Sequence, residues 1–271
     1  HHRPRQSAWP WLLPLKVSKI MLTHPALGML RDLGLHGMAR AFQDLDAQAE
    51  ARSLDHREWL AILLEHEATS RRQKRFEARA RAARLRHDAQ VEDVDFRAAR
   101  GLDRSLFLKL TSCDWIRQRH GLLLTGPAGV GKSRLACALG HKACRDDFSV
   151  VYHRAPRLFA TLALARDHGH YATTLKALAR ADLLILDDWG PEKLNDDQRR
   201  DLLEIIEDRY ERLSIIVTSQ VPVERWYEII GNPTIADAIL DRLVHNAYRI
   251  ELTGDSLRKR RNLPSPNPAS T

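Results

Sequence analysis

A glycine-rich loop between an apolar run and a run of helix formers constrains this chain more than any other feature. Residues 126–133 read Gly-Pro-Ala-Gly-Val-Gly-Lys-Ser. Glycines at this spacing let backbone N–H groups turn inward around a phosphate, Lys132 supplies charge to the outer phosphates, and Ser133 offers a hydroxyl to Mg²⁺. Residues 121–125 predict a buried parallel strand, and residues 134–139 predict a helix. Because this order aims a helix N-terminus at the phosphates, the sequence predicts a nucleotide site.

A second apolar run predicts the carboxylate that such a site needs. Residues 183–186 are uniformly apolar, and Asp187 and Asp188 follow them. Ligands of open α/β sheets bind at the carboxyl ends of buried strands. We predict that Asp187 and Ser133 hold Mg²⁺ and that Asp188 polarises the attacking water. The alternative is a strand followed by an Asp-rich turn. The predicted phosphate-binding residues are Gly126, Pro127, Ala128, Gly129, Val130, Gly131, Lys132, Ser133 and Arg134.

Two later segments add candidate catalytic residues. A third apolar run ends in Ser219 and Gln220, one of which is predicted to sense the γ-phosphate or the attacking water, unless the strand is simply capped by polar residues. Arg242 lies in a predicted helix, where an arginine can stabilise transition-state charge, an effect worth ~10³–10⁵ in rate when supplied in trans. The alternative is a surface arginine paired with Asp241 or Asp237.

These motifs resemble those of AAA+ ATPases of the initiator and helicase-loader group, and most closely the IstB-like transposition helper proteins. The resemblance implies ATP and Mg²⁺ bound between subunits, with Arg242 reaching into a neighbour's site. It also implies assembly into a ring or spiral on duplex DNA, largely independent of sequence, and a transposase as partner. The segments that carry the resemblance are residues 126–133, 184–190, 216–220 and 232–243.

The sequence departs from the wider superfamily at one acidic position. Asp188 stands where a glutamate is usual, which leaves the rate of hydrolysis open. A DNA-stimulated ATPase that assists transposition is therefore predicted beside two alternatives, a helicase loader and a nucleotide-gated DNA scaffold with little hydrolysis. Arg258 resembles the group's terminal nucleotide-contacting arginine, or it is one member of the basic run that continues to Arg261.

The net charge of +8 and the isoelectric point of about 9.7 favour a polyanionic partner. Half of this charge lies in residues 1–20, which hold four basic residues and no acid. The three cysteines form no metal-binding or disulfide pattern, and the apolar runs are too short to span a membrane. We therefore expect a cytoplasmic protein with no membrane partner.

A predicted helix before the glycine-rich loop carries a strong basic bias. Residues 71–86 contain eight basic residues and one acid. Like charges at i, i+4 destabilise a helix slightly, which favours a bound polyanion over a merely solvated face. Contacts of this kind would be to the DNA backbone and blind to sequence. Two further cations lie in predicted helices within the core, where ordinary surface charge is an equal alternative. The candidate DNA-binding residues are Arg71, Arg72, Lys74, Arg75, Arg79, Arg157 and Lys176.

The predicted fold class is α/β, a P-loop AAA+ core with a parallel five-stranded sheet flanked by helices, preceded by a small all-helical N-terminal domain. Regular alternation of strand and helix signals after residue 106 supports the parallel sheet. The predicted strands lie near 121–125, 149–153, 183–187, 214–219 and 247–252. The predicted domains are a disordered leader or extension (1–20), the helical domain (21–87), a connector (88–105), the ATPase domain (106–255) and a basic, then disordered tail (256–271).

Overall fold

The computed structural model describes residues 23–257, and contacts divide the chain into two compact units between Lys74 and Arg75. This division lies inside a helix, so the domain boundaries given above stay a prediction, and the leader lies outside the described residues. None of the described helices is long and apolar enough to cross a membrane. The helices of the first part of the chain are α1 (Thr23–Asp32), α2 (His36–Ala47) and α3 (His56–Ala83).

Helix α3 contains most of the predicted basic helix and begins well before it. It runs over 28 residues without a glycine or proline, so nothing in the sequence interrupts it. Within the first unit, the buried carboxylate of Glu67 accepts the backbone N–H groups of Gly37 and Met38 at 2.7 and 3.1 Å. The side-chain hydrogen bond from Arg71, aided by these N–H groups, lowers the pKa of Glu67. Glu67 therefore accepts N–H groups at the N-terminus of α2 that have no partner within that helix, and it fixes α2 on α3.

The second unit contains five parallel strands, numbered β1 to β5 along the chain. Their order in the sheet is β2-β3-β4-β1-β5, which confirms the predicted sheet. Because β1 lies between β4 and β5, the connections that follow β1 and β4 leave the sheet toward opposite edges, and a crevice opens at their carboxyl ends. The strands are β1 (Gly121–Thr125), β2 (Val150–Arg154), β3 (Leu183–Trp189), β4 (Ser214–Ser219) and β5 (Ala247–Glu251).

Alternating side chains of β3 enter two separate hydrophobic clusters. Leu184 and Leu186 pack in a cluster with α7 (Ala155–Asp167) and α9 (Asp196–Arg209). Leu183 and Ile185 pack in a cluster with α4 (Arg104–Leu110) and α6 (Lys132–Arg145). Both faces of the sheet are therefore covered, which explains the uninterrupted apolar run in the sequence. The helices of the second unit after α3 are α4 (Arg104–Leu110), α5 (Asp114–Arg117), α6 (Lys132–Arg145), α7 (Ala155–Asp167), α8 (Tyr171–Leu178), α9 (Asp196–Arg209), α10 (Trp226–Ile230) and α11 (Pro233–Val244).

A buried arginine closes the amino end of the sheet. Arg209 is 2% exposed and donates to the carbonyls of Leu178, Ala181 and Ser214 at 2.7, 2.9 and 2.5 Å, and to that of Asp182 at 3.3 Å. Burial lowers the pKa of its guanidinium to about 10, so it remains charged at neutral pH. One side chain thus satisfies carbonyl groups at the end of α8 and at the amino ends of β3 and β4.

Replacement of this arginine should destabilise the second unit. Arg209→Met keeps an apolar stem but leaves buried carbonyls without donors, and we expect a loss of about 2–4 kcal/mol in the free energy of unfolding. Denaturant unfolding of the whole chain measures this loss. The exposed Arg212→Met serves as the matched control and should change the free energy of unfolding little. Equal stabilities of the two variants would contradict this role.

Candidate nucleotide-binding site

The glycine-rich loop joins the carboxyl end of β1 to the N-terminus of α6 and packs against the segment that follows β5. A Cβ on Gly126 would lie 2.1 Å from the carbonyl oxygen of Leu252, and one on Gly129 would lie 2.1 Å from the Ser256 hydroxyl. Both glycines also have positive φ, +138° and +84°. The Leu257 N–H donates to the Gly129 carbonyl at 3.0 Å. Residues 252–257, at the end of the described chain, therefore hold the loop in its turn conformation.

Lys132, the first residue of α6, lies folded back over this loop. Its ammonium donates to the carbonyls of Gly126 and Pro127 at 2.6 and 2.7 Å, and the residue is 8% exposed. Burial lowers the pKa of Lys132, while the nearby carboxylates of Asp187 and Asp188 oppose that shift. The charge is thus placed where phosphates would meet both it and the N-terminus of α6.

Asp187 is fully buried at the end of β3 and accepts three hydroxyl hydrogen bonds. Ser133 of α6 and Thr218 of β4 donate to Oδ1 at 2.7 and 2.5 Å, and Tyr152 of β2 donates to Oδ2 at 2.5 Å. Burial and this last bond raise the pKa of Tyr152, so its hydroxyl stays protonated. The structure brings together Ser133 and Asp187, the two residues predicted to hold Mg²⁺. A hydroxyl beside a carboxylate is a donor pair that fits this ion.

Asp188 has an unusual backbone and a bound arginine. Its φ of +64° lies in the left-handed region, and the pairing of β3 with β4 is irregular between Leu186 and Trp189. Arg154, at the end of β2, donates to Asp188 Oδ2 at 2.6 Å, and this bond raises the pKa of the arginine. The irregularity turns the Asp188 carboxylate away from the strand axis and into the crevice, where strained residues often function.

The end of β4 supplies a residue that the sequence analysis missed. Thr218 donates to Asp187 and accepts the Asp188 N–H at 3.0 Å, so one hydroxyl orders both acids. Ser219 is buried and donates to the Trp189 carbonyl at 2.7 Å, away from the crevice. Gln220, two residues after Thr218, lines the same cavity in the crevice as Thr218 does. This follows strand periodicity, which places alternate residues on the same side, so of the two predicted candidates only Gln220 reaches the crevice.

The connector forms one wall of a cavity of about 640 Å³ that includes the loop. Arg100 is 5% exposed and donates to the carbonyls of Val130 and Asp95 at 3.2 and 3.1 Å. Burial lowers the pKa of its guanidinium. No sequence motif marks this part of the connector as a wall of the site. The residues that line the cavity include His87, Ala89, Gln90, Val94, Ala98, Arg100, Ala128, Gly129, Gly131, Lys132, Ser133, Arg134, Arg154, Asp188, Thr218 and Gln220.

Arg242 lies away from this cavity, near the amino ends of β1 and β4. It borders a small depression with Gly121 and Leu213, and its guanidinium contacts Glu207 at 3.4 Å. It also lies 5.8 Å from the centroid of the Tyr210 ring. The partners proposed for a surface arginine, Asp241 and Asp237, are therefore replaced by Glu207. The phosphate loop is at the opposite, carboxyl edge of the sheet, so Arg242 is separated from the site of its own chain.

Most DNA-binding candidates on α3 already have acidic or hydroxyl partners. Within the second unit, Arg75 and Arg79 contact Asp147 at 3.5 and 2.5 Å. In the first unit, Arg71 is bound to Glu67. The pairs with the exposed Asp147 are worth little, so phosphate can displace them at small cost, whereas the carboxylate of Glu67 is buried. Further candidates are exposed, and Arg258 lies outside the described residues. The exposed candidates are Arg72, Lys74, Arg157 and Lys176.

Comparison with known proteins identifies relatives over most of the chain. The family described as IstB-like ATP binding protein matches residues 28–265. A protein of Sinorhizobium fredii, named as an insertion sequence ATP-binding protein, is 61% identical over 239 residues, which are 88% of this chain and 98% of the relative. A protein of Pseudomonas aeruginosa with a similar name, from insertion sequence IS21, is 34% identical over 85% of this chain and 87% of its own.

Solved structures show the same fold at low sequence identity. DnaI matches with a TM-score of 0.54 and 24% identity over 61% of this chain and 92% of its own. DnaA from Aquifex aeolicus, bound to AMPPCP, matches with a TM-score of 0.51 and 18% identity over 65% of this chain and 53% of its own. The chain belongs to the IstB-like ATP binding protein family, and its sheet and loop have the AAA+ fold.

Proposed function

We propose that this protein hydrolyses ATP at a site completed by a second copy of itself on duplex DNA, and that it thereby assists a transposase. The observation that carries the ATPase proposal is the contact between Ser133 and the buried Asp187 beneath Lys132. A hydroxyl, a carboxylate and an ammonium at the N-terminus of one helix are the groups that bind a triphosphate with its cation. The names of the relatives, which refer to insertion sequences, support the transposition role over helicase loading.

The cavity accommodates the whole nucleotide. Backbone N–H groups of the loop and Lys132 bind the phosphates, and the connector wall around Ala89 and Val94 takes the base and sugar. Ser133 and Asp187 would hold Mg²⁺, which supplies neutralising charge to the phosphate oxygens. In the present arrangement Arg154 occupies the Asp188 carboxylate. Asp188 polarises the attacking water only after Arg154 has moved away and the water has taken its place. Gln220 lies at the same edge and orients the water or the γ-phosphate.

Removal of the loop lysine should abolish function at the binding step. Lys132→Ala deletes the charge beneath the phosphates, and we expect ATP affinity to fall more than about 100-fold. Calorimetric titration with ATP measures this loss, and a strand-transfer assay with the transposase of the same element should lose its stimulation. The exposed Lys193→Ala is the matched control. Unchanged ATP affinity in Lys132→Ala would remove the basis of the proposal.

The position of Arg242 supports a site shared between copies. It lies at the amino edge of the sheet, whereas the loop and both acids lie at the carboxyl edge. An arginine in this place serves catalysis only in a neighbouring subunit. Its contacts with Glu207 and the Tyr210 ring hold the guanidinium against α9, where a second copy could capture it.

Complementation between two inactive variants tests the shared site. Arg242→Ala should bind ATP normally but lose about 10³-fold in turnover in an assembled, DNA-bound sample. Mixing Arg242→Ala with Lys132→Ala should restore turnover, because the intact pocket of one variant then meets the intact arginine of the other. Phosphate release measures both effects.

The control for this experiment is Arg225→Ala, which removes an arginine that is 67% exposed and paired with Glu228. This variant should keep wild-type turnover. Two results would contradict a shared site. One is full turnover in assembled Arg242→Ala, and the other is a mixture that never exceeds the sum of its separate components.

Contacts to DNA are proposed for the exposed basic side chains of α3. Arg72 and Lys74 are exposed near neighbours on a helix with a strong basic bias, so their charges are available to phosphate. Such contacts bind every duplex sequence alike and weaken steeply with salt. The cations Arg157 and Lys176, on α7 and α8, are proposed as a second and separate contact.

The salt dependence of duplex binding tests this surface. The double variant Arg72→Ala, Lys74→Ala should reduce the slope of log K against log salt by about 2, since each lost phosphate contact contributes roughly 0.9. Fluorescence anisotropy with two unrelated duplexes should show the same loss for both. Lys193→Ala, Arg200→Ala removes equal charge elsewhere and should leave the slope unchanged. An unaltered slope in the first variant would exclude these contacts.

A further inference from the structure

Arg86, between the end of α3 and the connector, lines the same cavity as the phosphate loop but has no role in the function proposed above. Its guanidinium Nη1 is 3.9 Å from Oδ2 of the buried Asp187, and its side chain is 41% exposed. At this distance the two groups attract each other without a hydrogen bond. Arg86 is therefore held near the predicted metal and phosphate positions by charge alone, with its donors not committed to Asp187.

Other cations of the cavity are bound more firmly. Lys132 donates to two carbonyls of the loop, Arg100 donates to the carbonyls of Val130 and Asp95, and Arg154 donates to a carboxylate. A ligand that recruits any of these must break existing hydrogen bonds. Arg86 can move to a new anion without such a loss, which distinguishes it from these neighbours.

The backbone beside Arg86 is fixed on α6. Leu85 packs against this helix, where its Cδ2 would be 3.1 Å from a Cβ on Gly140. Ala89 is 1% exposed and shares a small apolar cluster with Cys137 and Ala138. Since α6 also begins with Lys132 and Ser133, the same rigid helix positions the phosphate loop and the base of the Arg86 side chain. The guanidinium is thus a placed group on a flexible stem.

We propose that Arg86 binds the terminal phosphates of the nucleotide in its own chain and so favours ATP over ADP. This inference rests on the proposed nucleotide function. A cation at Ser133 and Asp187 would neutralise the carboxylate that now attracts Arg86. Phosphate oxygens bound at the loop then offer Arg86 a new anionic partner in the same cavity, and the planar guanidinium can bind two of them at once.

The same contact links nucleotide state to the connector. Arg86 lies three residues after the end of α3, and its attraction moves from Asp187 to phosphate when ATP binds. Arg86 acts within one chain and needs no second copy. Arg242, by contrast, is proposed to act across two chains, so the two arginines can be separated by protein concentration.

The test compares Mg²⁺-dependent binding of AMPPCP and ADP to dilute, DNA-free protein by calorimetric titration. We expect Arg86→Gln to weaken AMPPCP binding about tenfold while ADP binding changes less than about twofold. Arg86→Lys should recover part of the preference, because it restores charge without the bidentate geometry. The control is Arg97→Gln, because the Arg97 side chain lies in the connector and is 96% exposed. It should leave both affinities unchanged.

Each result decides for or against this role. Equal losses for both ligands, or none for either, in Arg86→Gln would overturn it. Thermal unfolding of the nucleotide-free variants shows whether the fold is intact. If Arg86→Gln fails to fold, the ratio of AMPPCP affinity to ADP affinity in Arg86→Lys decides instead. A ratio equal to that of the wild type would then overturn the role. A wild-type chain that binds neither ligand would overturn the proposed function itself. A wild type that binds both, with the preference retained in Arg86→Gln, overturns this inference alone.

Discussion

The second unit depends on the satisfaction of one buried carboxylate. Asp187 has no exposed surface, and a buried charge is costly unless hydrogen bonds and opposite charge surround it. Its three hydroxyl donors come from β2, β4 and α6, so the hydrogen bonds of one side chain connect three neighbouring strands and the phosphate-loop helix. The same arrangement prepares the cation site, because Ser133 already meets the carboxylate where Mg²⁺ would lie. Stability and proposed catalysis therefore use the same atoms.

The two edges of the parallel sheet have different chemistry. At the carboxyl edge, Lys132, Ser133 and Asp188 line a cavity, and the buried Asp187 lies behind Ser133. At the amino edge, Arg209 donates to buried backbone carbonyls, whereas Arg242 donates to the Ala238 carbonyl of its own helix at 2.8 Å and contacts Glu207 and the Tyr210 ring. A parallel sheet separates its two ends by the length of its strands, so one chain cannot bring both edges to the same nucleotide. Assembly of copies is the arrangement in which both edges would act together.

Local patterns were sufficient to predict the parallel sheet and the phosphate loop. Uninterrupted apolar runs such as residues 183–186 indicate buried parallel strands without reference to the rest of the fold. Two details of the site depend on contacts that the sequence does not show. The choice between Ser219 and Gln220 requires the direction of each side chain on β4, and Thr218 was overlooked because its partners lie about 30 residues away in sequence. The irregular pairing near Asp188 has no sequence signature either.

Sequence specifies those features that depend on neighbours along the chain: the glycine spacing around Lys132, the apolar strands and the basic bias of α3. Tertiary packing specifies the features that depend on distant segments. It brings Arg86 and the connector residue Arg100 to the cavity of the phosphate loop, pairs Arg79 with Asp147, and places Arg242 against Glu207. The physical reason is that backbone conformation responds to local sterics and hydrogen bonding, whereas the partner of a charged side chain is chosen by proximity in space, which arises only once the sheet and its helices have packed.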